Sequence, residues 1–171
     1  MNDELARWNQ RYSQQGYLFG TAPNEFLAGH RPLLARGQTA LCIADGEGRN
    51  SVWLAEQGLE VTAFDFSPVA LDKARRFAAS RGVAVRYELS DVYGWRWPPE
   101  TFDVVAAIFV QFADPPMRAF MFQRIIDALR PGGLFLLQGY GPKQLEYRTG
   151  GPSQLENLYT CLLYTSDAAD E

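Results

Sequence analysis

Between Thr39 and Gln138 short apolar runs alternate with stretches of helical periodicity, and this alternation constrains the fold more than any other feature. Thr39-Ala40-Leu41-Cys42-Ile43-Ala44 reads as a buried strand entering the tight loop Asp45-Gly46-Glu47-Gly48. Residues 50–57 read as a helix stopped by Gly58, and Glu60–Asp65 as a second strand. Ser67 is placed to cap the next helix, with Pro68 in its first turn and apolar residues at 70, 71, 74, 77 and 78 on one face. Val83–Leu89 predicts a third strand, and 90–101 a loop rich in Trp, Pro and Gly. Phe102–Phe109 predicts a fourth strand and Asp114–Leu129 a helix. After a Pro131-Gly132-Gly133 turn, Leu134–Gln138 predicts a fifth strand. Near-continuous apolar strands separated by helices require a parallel sheet covered on both faces. With right-handed crossovers the expected fold class is a doubly wound α/β domain.

Composition narrows the function classes. The chain has 171 residues, 47% of them hydrophobic, with 11 Phe, 8 Tyr and 4 Trp, so it is a single globular domain and not a disordered chain. No apolar run approaches the ~18 residues of a membrane span, and the polar start Met1-Asn2-Asp3-Glu4 shows no signal peptide. One His and two Cys exclude a His/Cys zinc site and a disulfide framework, so no metal is expected and a reducing cytoplasm is the expected compartment. The densest basic run, Lys73-Ala74-Arg75-Arg76, reads as a solvated helix face, and no basic stripe suits nucleic acid.

The chemistry-bearing unit is the first strand, loop and helix. Gly46 and Gly48 let the backbone turn and approach a ligand closely, and the following helix presents free N–H groups to it. Asp65, nineteen residues beyond Gly46, ends the second strand, where a carboxylate can accept both hydroxyls of a ribose. Dinucleotides and S-adenosylmethionine both use this arrangement. Ser51 stands where a dinucleotide loop wants a third Gly or Ala, which disfavours an NAD(P)-dependent oxidoreductase.

The pieces Ala44-Asp45-Gly46-Glu47-Gly48-Arg49-Asn50, Val61-Thr62-Ala63-Phe64-Asp65-Phe66-Ser67-Pro68 and Leu129-Arg130-Pro131-Gly132-Gly133 resemble class I S-adenosylmethionine-dependent methyltransferases. The nearest resemblance is to small bacterial enzymes of the tellurite-resistance and thiopurine-methyltransferase group. It extends to Trp8-Asn9-Gln10-Arg11-Tyr12 and Phe19-Gly20-Thr21-Ala22-Pro23-Asn24, and spans Trp8 to Thr160. It implies a Rossmann-like sheet and S-adenosylmethionine as cofactor. Residues 1–38 would be a helical, aromatic cover and 39–160 the cofactor domain. Cofactor contacts would come from Asp45, Gly46, Glu47, Gly48, Asp65, Phe66, Ser67, Asp91, Val92 and Ile108. Tyr12, Tyr17, Phe19, Phe109, Gln111 and Tyr140 would lie on the acceptor side. The acceptor is expected to be a small molecule, such as a thiol, selenide or tellurite-derived species. No nucleic acid or membrane partner is expected, and no catalytic base can be named. A non-catalytic cofactor-binding module is the alternative.

The sequence departs from the family pattern at Cys42, where an acid is usual, at Ala44, where Gly is usual, and at Asp45, where Cys or Ala is usual. Asp45 is placed to take the contact to the cofactor's amino group. Residues 161–171 resemble an in-frame translation of a transposon-based sequencing adapter, so a domain cut near residue 160 and lacking its last two strands is expected. Without that tail the chain carries 17 acids against 16 bases and a net charge of −1 instead of −4.

Overall fold

The structure is a computed structural model that describes residues 2–147, 150–161 and 163. Five parallel strands form one sheet in the order β3-β2-β1-β4-β5: β1 (Thr39–Ile43), β2 (Glu60–Asp65), β3 (Val85–Leu89), β4 (Phe102–Ile108) and β5 (Leu129–Gln138). Helices α1 (Asn2–Tyr12) and α2 (Glu25–Gly29) precede the sheet. Between the strands run α3 (Arg49–Glu56), α4 (Pro68–Ser80) and α5 (Pro115–Ala128), and α6 (Gln144–Tyr147) follows β5.

Side chains alternate across each strand, so an unbroken apolar run supplies two cores. Leu41 and Ile43 of β1 join Phe64, Val105, Trp95, Met121 and Ile125 on the α5 face. Ala40 and Cys42 join Leu27, Leu54, Val61, Ala63, Val104 and Ala106 on the other. The Cys42 thiol is a core group, and burial pushes its pKa up. Along α4, the predicted positions 70, 71, 74, 77 and 78 are the buried ones, and Ser67 caps the helix by accepting from Ala70 N.

Two boundaries differ from the sequence reading by more than one residue. The third strand begins at Val85 rather than Val83, because Val83 N still bonds Ala78 O to finish α4 across Gly82 (φ +67°). The fifth begins at Leu129, directly on the end of α5. Phe102 pairs with Leu129 and Val104 with Leu134, so Arg130–Gly133 bulges out of the ladder. The Pro-Gly-Gly turn chemistry is thus spent inside the strand, with Gly132 at φ +77°.

Among the described residues β5 pairs with β4 only. Of the predicted foreign tail, Cys161 and Leu163 are described, and Leu163 packs against the α5-face core; 162 and 164–171 lie outside the described residues.

Candidate active site

The chain order reverses between β1 and β4: β2 and β3 are laid down to one side, β4 and β5 to the other. In an open parallel sheet that switch leaves a crevice outside the carboxyl ends of the two strands. Two non-glycine residues sit there in the left-handed region, Ala44 at φ +49° after β1 and Phe109 at φ +58° after β4. Each costs about 1–3 kcal/mol, and such strain gathers where a chain must turn sharply around a ligand. Ala44 occupies the position where the family pattern has Gly, and its backbone shows why.

The glycine loop follows β1. Gly46 has φ +62°, and Gly48, at φ +90°, is the N-cap of α3 without a side-chain cap of its own. Asp45 supplies the missing acceptor: Ser51 donates to it from both its backbone N–H and its hydroxyl. Burial pushes the Asp45 carboxyl up to about 7, against the Ser51 hydrogen bonds and with help from the Asp65 charge. Tyr87 Oη lies 3.0 Å from Ser51 Oγ and completes the cluster.

Asp65, at the end of β2, is 2% exposed. Its Oδ2 accepts from Gly46 N at 2.9 Å and its Oδ1 from Ser67 N at 2.9 Å, so one carboxylate ties the loops after β1 and β2 together. Burial raises its pKa, and the N–H donors of Ser67, Gly46 and Phe66 oppose the rise. Tyr12 closes the group from α1. A Cβ on Gly46 would lie 2.9 Å from its hydroxyl, so only glycine lets the ring come so near. Burial and the charges of Asp65, Glu47 and Asp45 hold the Tyr12 phenol protonated.

Residues 40–133 match the sequence profile of the methyltransferase domain family. The chain belongs to the class I S-adenosylmethionine-dependent methyltransferases. It is similar to the ubiquinone biosynthesis O-methyltransferase of Methylobacterium nodulans, 35% identical over 105 residues that cover 61% of this chain and 42% of that protein. It is also similar to the tRNA 5-carboxymethoxyuridine methyltransferase of Escherichia coli K12, at 29% over 118 residues, covering 64% and 44%. The solved structure of YjhP from E. coli shares the fold, with a TM-score of 0.73 at 20% identity over 96% of this chain and 70% of that one. The first curated relatives are longer proteins, of which the chain spans 20–47%.

The remaining predicted residues fall into two groups. Ser67, Phe66 and Glu47 adjoin the Asp65 cluster. Ser67 Oγ bonds Asn9 Oδ1 of α1 at 2.6 Å, and Phe66 is half-buried. The Glu47 carboxylate is buried and taken by the N-terminal segment: its Oε2 accepts from Leu18 N at 2.6 Å and its Oε1 from Lys73 Nζ at 2.7 Å. Lys73 is therefore no solvated group, unlike Arg75 and Arg76 beside it, which are exposed as predicted.

The second group follows β3 and β4. Asp91 Oδ1 accepts from Gly94 N at 2.7 Å, and Val92 is buried in the α5-face core. Ile108 lines the crevice, and Phe109 stacks on Tyr140 at 4.7 Å. Tyr17 is half-buried against Phe77, while Phe19 is exposed, with Arg11 and Arg49 over its ring. Gln111, expected on the acceptor side, has its side chain bonded to neighbouring backbone. Its amide donates to Tyr140 O and Asn157 O and accepts from Tyr140 N, clamping the segment after β5. Gly139 permits that closeness, since a Cβ there would meet the Tyr159 ring at 2.5 Å.

Nothing in the local pattern marks Ser51, Tyr87, Lys73, Asn9 and Asn50 as site residues, yet the fold brings them there. Asn50 Oδ1 accepts from Asn24 N at 3.0 Å, a further tie to the N-terminal segment. For Asn9 and Asn50 the N-terminal pieces Trp8–Tyr12 and Phe19–Asn24 carry a signal, the residues Asn9 and Asn24 but not their pairing, whereas Lys73 meets Gln14 and Gly16 between those pieces. The donor set suits S-adenosylmethionine: a glycine cradle, a buried carboxylate at the end of β2 and a second, Asp45, on the crevice. Room is the constraint. The crevice among Cys42, Ile43, Ala44, Asp45, Asn50, Ala106 and Ile108 measures about 10 Å³, space for about one water. A small-molecule pocket has roughly 300–1,000 Å³.

Proposed function

We propose that this chain carries the methyl-transfer activity of its family and acts on a small-molecule acceptor. The observation that supports it most is the meeting of the strained glycine loop with the buried Asp65 at the switch point of the sheet. S-adenosylmethionine, when bound, supplies a methyl already activated on a sulfonium, so the protein's task is to hold donor and acceptor in line. Asp65 would take the ribose hydroxyls, with Phe66 and Ser67 beside it and Phe66 against the adenine. Asp91 and Val92 would meet the adenine edge. Gly46, Gly48 and the first N–H groups of α3 would receive the methionine end, with Asp45 as partner of its ammonium group. That pairing favours the ionised carboxylate, so below pH 7 ligand binding would release a proton from Asp45. Ile108, Phe109 and Tyr140 would line the acceptor side, and residues 1–38, through Tyr12, Tyr17 and Phe19, would cover the site and exclude water.

The acceptor side is aromatic, with the Phe109–Tyr140 stack at its wall, which suits a small organic or soft nucleophile better than a phosphate backbone. Calorimetric titration tests the cofactor reading: S-adenosylhomocysteine is expected to bind and NADH not to, and binding of NADH alone would overturn it. Incubation with methyl-labelled cofactor then tests the acceptor. Label entering a small thiol, selenite or tellurite product supports the proposal; label entering bulk tRNA alone refutes its acceptor half.

A further inference from the structure

Lys73 stands on α4, outside every group assigned above to the cofactor. Its side chain is 13% exposed and its partner Glu47 4%. The ammonium donates to Glu47 Oε1 at 2.7 Å, to Gln14 O at 2.9 Å and to Gly16 O at 2.6 Å. Its three protons thus join α4, the glycine loop and the turn after α1. Glu47 answers from the loop by accepting Leu18 N. Tyr12, whose hydroxyl rests against Gly46, is two residues before Gln14, and Tyr17 lies under the same ammonium, 5.8 Å from its ring centre. A buried ion pair is a poor source of net stability, because desolvating both charges offsets most of their attraction. What this one specifies is position.

We propose that Lys73 is a positioning residue: with Glu47 it latches residues 13–18 over the glycine loop, and this latch opens to admit the cofactor and closes to retain it. Lys73 and Glu47 tie Gln14, Gly16 and Leu18 directly onto the glycine loop that would receive the methionine end, so a ligand occupying that loop must pass beneath this segment or displace it. The inference rests on the methyltransferase reading for the identity of the ligand, and on geometry alone for the latch.

The test compares the wild type with Lys73→Met, Lys73→Arg and the double variant Glu47→Gln/Lys73→Met, which removes the orphaned charge should the single variant fail to fold. Hydrogen exchange reads the latch without ligand. In Lys73→Met the Leu18 amide should exchange roughly tenfold faster or more, since the ammonium no longer holds its acceptor Glu47 or the Gln14 and Gly16 carbonyls in place, while Ala63 in the sheet keeps its protection. Stopped-flow tryptophan fluorescence with S-adenosylhomocysteine reads the function. Dissociation should accelerate by roughly tenfold, and Lys73→Arg should recover most of it. A folded Lys73→Met protein with wild-type Leu18 exchange would overturn the latch. Faster Leu18 exchange with an unchanged off-rate would overturn its role in retention. If the wild type binds no S-adenosylhomocysteine, the methyltransferase reading is what fails, and the Leu18 amide decides the latch by itself.

Discussion

Replacing Asp45 by Asn should flatten the pH dependence of stability. In the folded chain burial holds the Asp45 carboxyl near 7, against 3.8 for an ordinary aspartate. Below 3.8 both folded and unfolded chains carry the proton, and the stabilising preference is fully present. Between about 4 and 7 the unfolded chain has released it while the folded chain keeps it, so stability falls as pH rises, by up to about 1.4 kcal/mol per pH unit. From pH 5 to 7 that is a ceiling of roughly 2.7 kcal/mol; solvent screening at this part-exposed residue brings the expectation to about 1–2 kcal/mol. Asp65 shifts in the same direction, so some pH slope remains in the variant. Asn keeps the geometry, because its oxygen still accepts from Ser51 N and its amide can donate to Ser51 Oγ. Urea unfolding followed by tryptophan fluorescence at pH 5, 6, 7 and 8 measures both curves. The variant should lose less stability than the wild type between pH 5 and 7 and match or exceed it at pH 8. A constant gap between the two curves across that range would refute the proton-holding Asp45.

Asp65→Ala should weaken S-adenosylhomocysteine binding roughly 100-fold, the loss of charge-assisted bonds to a ribose, and unchanged affinity by calorimetry would sink the ribose assignment. Gly48→Ala should cost about 2–4 kcal/mol, because φ is +90° and the new Cβ would meet Ala74 Cβ and Tyr87 Oη at 2.9 Å; denaturant titration checks it. Gln111→Ala should lower stability by about 2–3 kcal/mol by stripping its bonds to Tyr140 N, Tyr140 O and Asn157 O. A loss under about 0.5 kcal/mol would show that Gln111 is no clamp.

Much of this architecture was legible because local pattern and tertiary structure agree. The β2 range Glu60–Asp65 and the buried face of α4 follow from periods of two and 3.6 residues. The Ser67 cap follows from hydroxyl chemistry next to Pro68. The start of β5 was not legible. Pro131-Gly132-Gly133 punctuates a turn and a bulge equally well, and pairing with β4 decides between them. The surroundings of Gln111 were not legible for a related reason: a buried amide just past a strand end can serve a ligand or a neighbouring backbone, and only the fold brings Tyr140 and Asn157 to it.

The sequence by itself determined the parallel sheet, the end of it that carries the site, and the glycine loop with Asp65, because hydrophobic periodicity and glycine's freedom at positive φ act over a few residues. Only the tertiary structure decided what each buried charge faces. Glu47 meets Lys73 across 26 residues of chain, and Lys73 meets Gly16 across 57. A charged side chain on an amphipathic helix is solvated or buried according to what packs above it, and no local pattern on α4 encodes the arrival of residues 13–18. The desolvation of a charge is set by its partners in space, so Lys73 reads as surface in the sequence and as a half-buried, fully paired cation in the fold.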